Sequence, residues 1–234
     1  MYIMLGTRPD LAHAVGLLSR FASNPSPDHF RALIRTFGYL YHTQDNALVY
    51  RKYENPDRFY GYSDSDWAGE SEGRKSTSGY LFFLSGAVFS WSSTKQKLST
   101  QSSMEAEYVG LCNASNQAIW INNFMEEIGF ALDYPISIYC DNQAAIKISI
   151  SEELPFKKSK FIDVKFHVVR DRIRNNQIKL SYVSSRKNTA DYLTKVLPKE
   201  TFENHTDDIG LESFKDLEHI SLEDEVEDEL NYGI

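Results

Sequence analysis

Four acidic residues stand where a chain of alternating strands and helices could gather them. Asp64 closes a strand-like run in Tyr62-Ser-Asp-Ser-Asp-Trp-Ala-Gly69, with Arg58, Tyr60 and Tyr62 on its face by alternation. Asp141 closes another in Tyr139-Cys-Asp-Asn-Gln143, and Asp191 lies in Arg186-Lys-Asn-Thr-Ala-Asp-Tyr192. Glu107 heads a helical stripe formed by Leu111, Ala114, Ala118, Ile121 and Met125. If the strands ending at 64 and 141 are parallel neighbours, both carboxylates emerge at one sheet edge, where open sheets with helical crossovers carry their sites. The stripe must pack on the sheet, so the carboxylate at its head is aimed inward. Glu105 lies roughly 200° around the helix from Glu107 and cannot face the same way.

Carboxylates crowded in one place drive each other's pKa upward unless positive charge sits between them. Mg2+ fits that need, since it prefers hard oxygen ligands and keeps positions open for water and phosphate oxygens. Two such ions, about 3.5 to 4 Å apart, can activate a water and stabilise the leaving oxygen of a phosphodiester, with Mn2+ able to substitute. Each residue also has a purely structural reading. Asp64 and Asp66 suit a turn, Glu107 a solvated helix face, and Asp141 a cap of the next helix. Asn188 and Asp191 have the spacing of an N-cap and its third-position acidic partner.

The elements needed to position these groups are legible in outline. Residues 8–22 and 27–43 have helical spacing and form a short helical lead-in, residues 1–50, too small for a core of its own. From residue 58 the pattern changes to period two, with strands at 59–64, 79–85 and 87–93 and a turn at Gly86. A helix over 103–129, a strand over 136–141, and a helix beginning near Asn142 follow. Another helix over 161–175, a strand over 178–184 and a closing helix over 189–196 complete the series. The order describes an α/β domain over residues 51–199 with a mixed five-stranded sheet, three antiparallel strands then two parallel ones, covered by helices.

The net charge of −8 conceals an uneven distribution. Residues 200–234 hold 13 acidic groups and one lysine, leaving 24 basic against 20 acidic residues before them. That tail, with its run Glu223-Asp-Glu-Val-Glu-Asp-Glu229, is expected to be disordered or loosely attached. Residues 151–199 carry 12 Lys and Arg against 5 Asp and Glu, a balance that suits either a phosphate backbone or a solvated helix face. Lys160, Lys165, Arg170 and Arg174 are the phosphate-binding candidates there. Cys112 and Cys140 lie in apolar segments without metal-ligand spacing and are expected to be buried thiols. No window approaches the ~18 apolar residues of a membrane span, and no signal peptide is evident, so an intracellular protein is expected.

Six blocks, in order, resemble the ribonuclease H region of copia-type retrotransposon Pol polyproteins. They are Gly61-Tyr-Ser-Asp-Ser-Asp-Trp-Ala-Gly69, Arg74-Lys-Ser-Thr-Ser-Gly-Tyr80, Ser90-Trp-Ser-Ser-Thr-Lys-Gln96, Ser102-Ser-Met-Glu-Ala-Glu-Tyr108, Cys140-Asp-Asn142 and Ala190-Asp-Tyr-Leu-Thr-Lys195. Thr7-Arg-Pro-Asp-Leu-Ala-His-Ala-Val-Gly16 is similar to the segment joining polymerase to nuclease in these polyproteins. The resemblance implies an RNase H-like fold, with Asp64, Glu107, Asp141 and Asp191 as metal-binding catalytic residues. Asn142 is a further substrate-binding candidate. It also implies hydrolysis of the RNA strand of RNA/DNA hybrids during reverse transcription, and a polymerase domain as partner in the parent polyprotein. Cytoplasmic particles or the nucleus would be the compartments. Selectivity for RNA would come partly from its 2′-hydroxyls.

Two positions depart from the pattern: Lys160-Phe-Ile-Asp163 has Phe161 where the family has His, and Ser184-Ser-Arg-Lys-Asn188 lacks the His of cellular enzymes. The polymerase's Tyr-x-Asp-Asp signature and an integrase-type His/Cys zinc set are both absent from the sequence. A fragment of an element that cannot itself synthesise DNA is therefore expected, with a catalytically idle, nucleic-acid- or protein-binding remnant as the alternative.

Overall fold

The computed structural model describes residues 1–51, 59–67, 69, 75–97, 99–132, 134–151 and 160–215, with the side chains of 160–164 and 166 excepted. The chain opens with α1 (Tyr2–Gly6), a 3-10 turn (Pro9–Leu11), α2 (Ala12–Ser19), α3 (Pro27–His42) and β1 (Asn46–Leu48). Next come β2 (Tyr60–Asp66), β3 (Thr77–Leu84), β4 (Ala87–Lys95), α4 (Ser103–Glu127), β5 (Ile136–Cys140), α5 (Gln143–Ile150) and α6 (Lys160–Arg174). It closes with β6 (Ile178–Tyr182), 3-10 turns at Ser185–Lys187 and Thr189–Leu193, α7 (Lys199–Asp208) and β7 (Leu211–Ser213).

The main sheet has the order β4-β3-β2-β5-β6. β2, β3 and β4 pair antiparallel, whereas β5 runs parallel to both β2 and β6. This is the mixed five-stranded arrangement, three antiparallel strands then two parallel ones, expected from the sequence. Ser85 and Gly86, both at positive φ, make the turn between β3 and β4.

Both faces of the sheet are covered, which explains why β3 is buried along nearly its whole length rather than alternating with solvent. Phe82 points to one side, into a core with Leu111, Ala114, Ala118, Ile121, Ile136, Ile138 and Val169 from α4, β5 and α6. Leu81 and Phe83 point to the other, among Ala12, Tyr192, Leu193, Ile209 and Leu211. The helical lead-in therefore shares a core with the sheet, and Trp91 of β4 ties it down by donating its indole N–H to the Met4 carbonyl at 2.9 Å. A buried Arg8–Asp10 ion pair, with Arg8 also donating to the Thr43 carbonyl, joins the start of this layer to the end of α3.

Two expectations need correction. The closing helix over 189–196 is a short 3-10 turn, because the Thr194 hydroxyl donates to the Asp191 carbonyl and Pro198 follows closely. The acidic segment is folded as far as residue 215. α7 and β7 occupy it, β7 pairs antiparallel with β1, and Ile209 and Leu211 are buried. Local composition concealed this, since Phe202, Ile209 and Leu211, packed in one core, and the Arg51–Glu212 pair at 2.5 Å outweigh the surrounding charge. The acidic run at 223–229 lies outside the described residues. Replacing Leu211 by Ala is expected to destabilise the protein by ~2–4 kcal/mol in denaturant unfolding, whereas the exposed Val196→Ala should cost under about 0.5 kcal/mol.

Candidate metal centre

β2 and β5 are in parallel register with Tyr62 opposite Tyr139, so two residues further on Asp64 comes level with Asp141. By alternation both share the face of the stacked Tyr62–Tyr139 pair. That face is also where the Thr189–Leu193 turn lies. Carboxylate oxygens of Asp64, Asp141 and Asp191 all fall within 4.8 Å of one another.

Asp191 reaches this place because the sheet is thin beneath its turn. Gly79 stands opposite Asp64 in the β2–β3 ladder, and a Cβ added there would meet Leu193 Cβ at 2.7 Å and Thr194 Cγ2 at 2.9 Å. Only a residue without a side chain lets the turn sit so close. Asn188 caps the turn by accepting from the Ala190 N–H and pins it to β2 by donating from Nδ2 to the Ser63 carbonyl at 3.2 Å. Asn188 thus caps the segment, and the same turn carries the Asp191 carboxylate to the other two.

Glu107 arrives from the opposite face. α4 packs on β2 at Gly110, where a Cβ would lie 2.5 Å from Ser65 Oγ and 3.3 Å from the Asp64 carbonyl. The stripe from Leu111 to Met125 is buried against the sheet, and Glu107 is only 6% exposed. Its ligand oxygen, with Cys140 Sγ and an Asp141 oxygen, forms a second group within 4.8 Å. Glu105 does something else: its carboxylate accepts from the Gln101 N–H at 2.9 Å, beside the Ser102 cap.

The electrostatics reflect this crowding. Burial, then repulsion from Asp191, raises the Asp64 carboxyl to about 7, against the opposing effects of Lys195 and a hydrogen bond from Thr194. Burial and the charges of Asp64 and Asp141 raise Glu107 well above the usual carboxylate range. Burial also raises Asp191, opposed by its hydrogen bond from Lys195. Burial beside Glu107 raises the Cys140 thiol, so it stays protonated and is a poor ligand. Glu107 Oε2 and Asp191 Oδ1 are buried and make no hydrogen bond among the described residues. Buried oxygens without donors, on carboxylates whose charge one lysine offsets only in part, fit hard divalent cations such as Mg2+.

Three contacts escaped sequence reasoning. The Thr194 hydroxyl donates to Asp64 Oδ2, Ser185 donates to Asp141 Oδ2 at 2.5 Å, and Lys195 Nζ lies 2.9 Å from Asp191 Oδ2. Ser185 stands in the segment that lacks a His. The substrate-binding candidates are dispersed. Arg170 is corrected outright: it is buried and its guanidinium donates to the Ile148 carbonyl, so it packs α6 onto α5. Asn142 caps α5 by accepting from the Ala145 N–H. Lys165, half-buried, donates to Asn113 Oδ1 at 3.3 Å, and Arg174 is exposed at the end of α6. The Lys160 side chain lies outside the described atoms.

No protein-family model matches the chain. It is similar to the Pol polyprotein of transposon TNT 1-94 from Nicotiana tabacum, 38% identical over 213 residues, 91% of this chain and 16% of that polyprotein. The chain is homologous to a segment of retrotransposon Pol polyproteins. This Pol segment thus spans 16% of the length of the tobacco relative. It is also similar to secreted RxLR effector protein 161 of Plasmopara viticola, 50% identical over 121 residues, 52% of this chain and 84% of the effector. Among solved structures, the N-terminal RNase H domain of Rv2228c from Mycobacterium tuberculosis aligns at 15% identity and a TM-score of 0.42, covering 64% of this chain and 96% of that one.

Two outcomes follow for this Pol segment. Gly79→Ala should destabilise it by ~1–3 kcal/mol in denaturant unfolding, as the Thr189–Leu193 turn is forced off the sheet. The raised carboxyls make a pH dependence: a folded-state pKa above the unfolded value contributes stability below about pH 4 that is lost as pH rises through about 7. In EDTA, Tm should therefore fall between pH 5 and pH 8, with a shallower slope in Asp64→Asn, read by thermal unfolding at each pH.

Proposed function

We propose that this Pol segment is a ribonuclease H, a divalent-metal-dependent endonuclease acting on the RNA strand of RNA/DNA hybrids. The convergence of Asp64, Asp141 and Asp191 within 4.8 Å carries this reading, supported by buried oxygens that lack donors and by kinship with retrotransposon Pol polyproteins. Asp64, Asp141 and Asp191 would hold one ion, and Glu107 with Asp141 a second. Such ions, when bound, supply an activated water and charge stabilisation at a phosphodiester.

The chain's own residues prepare the site. Thr194 and Ser185 fix the Asp64 and Asp141 carboxylates through single oxygens, leaving the other oxygen of each free to ligate. Burial on both sheet faces limits water around Glu107 and Asp191, which strengthens every charge interaction there. Arg174, Lys165 and Lys160, on α6, are the remaining candidates for phosphate contacts, and Asn142 retains its amide N–H groups for substrate. In a parent polyprotein the polymerase domain would be the partner delivering the hybrid, in cytoplasmic particles or the nucleus.

A second reading, a fold retained for binding without turnover, is favoured by one observation: a protein carrying an effector's name shares half of its residues with this chain over most of its length. A labelled RNA/DNA hybrid separates the two. Purified protein with Mg2+ or Mn2+ is expected to cut the RNA strand, and Asp64→Asn or Asp141→Asn to lower the rate by about two to three orders of magnitude, ~3–4 kcal/mol of barrier. Salt-dependent hybrid binding by folded protein that cuts nothing with either metal would establish the second reading instead.

A further inference from the structure

We infer that Lys195 is a resident counter-cation of the carboxylate cluster, which a divalent ion must displace from Asp191 in order to bind. The inference rests on the metal-site reading above and concerns how the site behaves before metal arrives. Four carboxylates converge here, and burial denies three of them solvent to dilute their charge. Lys195 is the cation that the structure sets against them: its Nζ lies 2.9 Å from Asp191 Oδ2. Asp64, Asp191 and Asp141 together outweigh the effect of burial on this ammonium and favour its charged form.

The contact is built into the backbone that presents Asp191. Lys195 follows it by four residues, its N–H donates to the Asp191 carbonyl at 3.2 Å, and the intervening Thr194 holds both that carbonyl and Asp64. Asp191 therefore divides its oxygens: Oδ2 is taken by the ammonium, while Oδ1 is buried with no hydrogen-bond donor among the described residues. A divalent ion gripping this carboxylate would bring two positive centres to one small group. Two cations on one carboxylate repel each other, and the flexible four-carbon stem of a lysine lets its ammonium leave. The side chain has somewhere to go. It is 39% exposed, so its stem can carry the ammonium out to solvent. Lys195 is thus a positioning residue that keeps the empty site folded and sets how much metal is needed to fill it.

The test uses Lys195→Gln and the charge-preserving Lys195→Arg in the full chain, with metal uptake read by titration calorimetry for Mg2+ and by the Mn2+ electron paramagnetic resonance signal rather than by cleavage. Lys195→Gln is expected to bind Mn2+ about tenfold more tightly than the unsubstituted protein and to unfold at lower temperature in EDTA, with Lys195→Arg close to the parent in both. Equal or weaker Mn2+ binding by a folded Lys195→Gln would overturn the inference while leaving the metal site standing. Unsubstituted protein that takes up neither ion would overturn both readings together.

Discussion

Like charges confined away from water are the constraint on which this molecule is built. Asp64, Glu107 and Asp191 are each almost fully buried, and Asp141 stands half-buried between them. Left to themselves such groups separate or take up protons. Here they are held together by elements whose own stability lies elsewhere: the parallel register of β2 and β5, the stripe of α4, and a 3-10 turn clamped by Asn188. Apolar cores on both faces of the sheet supply the free energy that the site itself works against.

The two faces make different contributions. From the face packed by α4 come Glu107 and the inert Cys140, seated by the close approach at Gly110. Asp191 comes from the other face, along with its attendants Thr194 and Lys195. That second layer contains residues from both ends of the chain, since Ala12 near the start and Ile209 and Leu211 near the end share a core with Tyr192 and Leu193. The position of one carboxylate thus depends on segments roughly 180 to 200 residues apart in sequence, joined by packing and by the small β1–β7 ladder.

The chain matches a small portion of the length of the Pol polyproteins it resembles. The charge on α6 is only partly a surface feature. Arg170 and Arg172 turn inward to the Ile148 carbonyl and the Ser115 hydroxyl, whereas Arg174 faces solvent. A cluster of basic residues in sequence is therefore divided between packing and surface, as expected for a helix that must both dock on α4 and present a polar side.

The sequence by itself determined the periodic features. The apolar stripe of α4 separated Glu107 from Glu105, the strand-like runs located Asp141 just past β5 and Asp64 near the end of β2, which continues to Asp66, and the order of elements described a mixed five-stranded sheet. These were legible because a period of two or of 3.6 residues is a local property. Only the tertiary structure decided what depends on distance between remote segments: the hydroxyls of Thr194 and Ser185 on two carboxylates, Lys195 beside Asp191, the inward turn of Arg170, and the folding of residues 199–213 within an acidic stretch. No local pattern marks a glycine as the seat of a turn more than a hundred residues away, because van der Waals fit and Coulomb repulsion act between neighbours in space rather than along the chain.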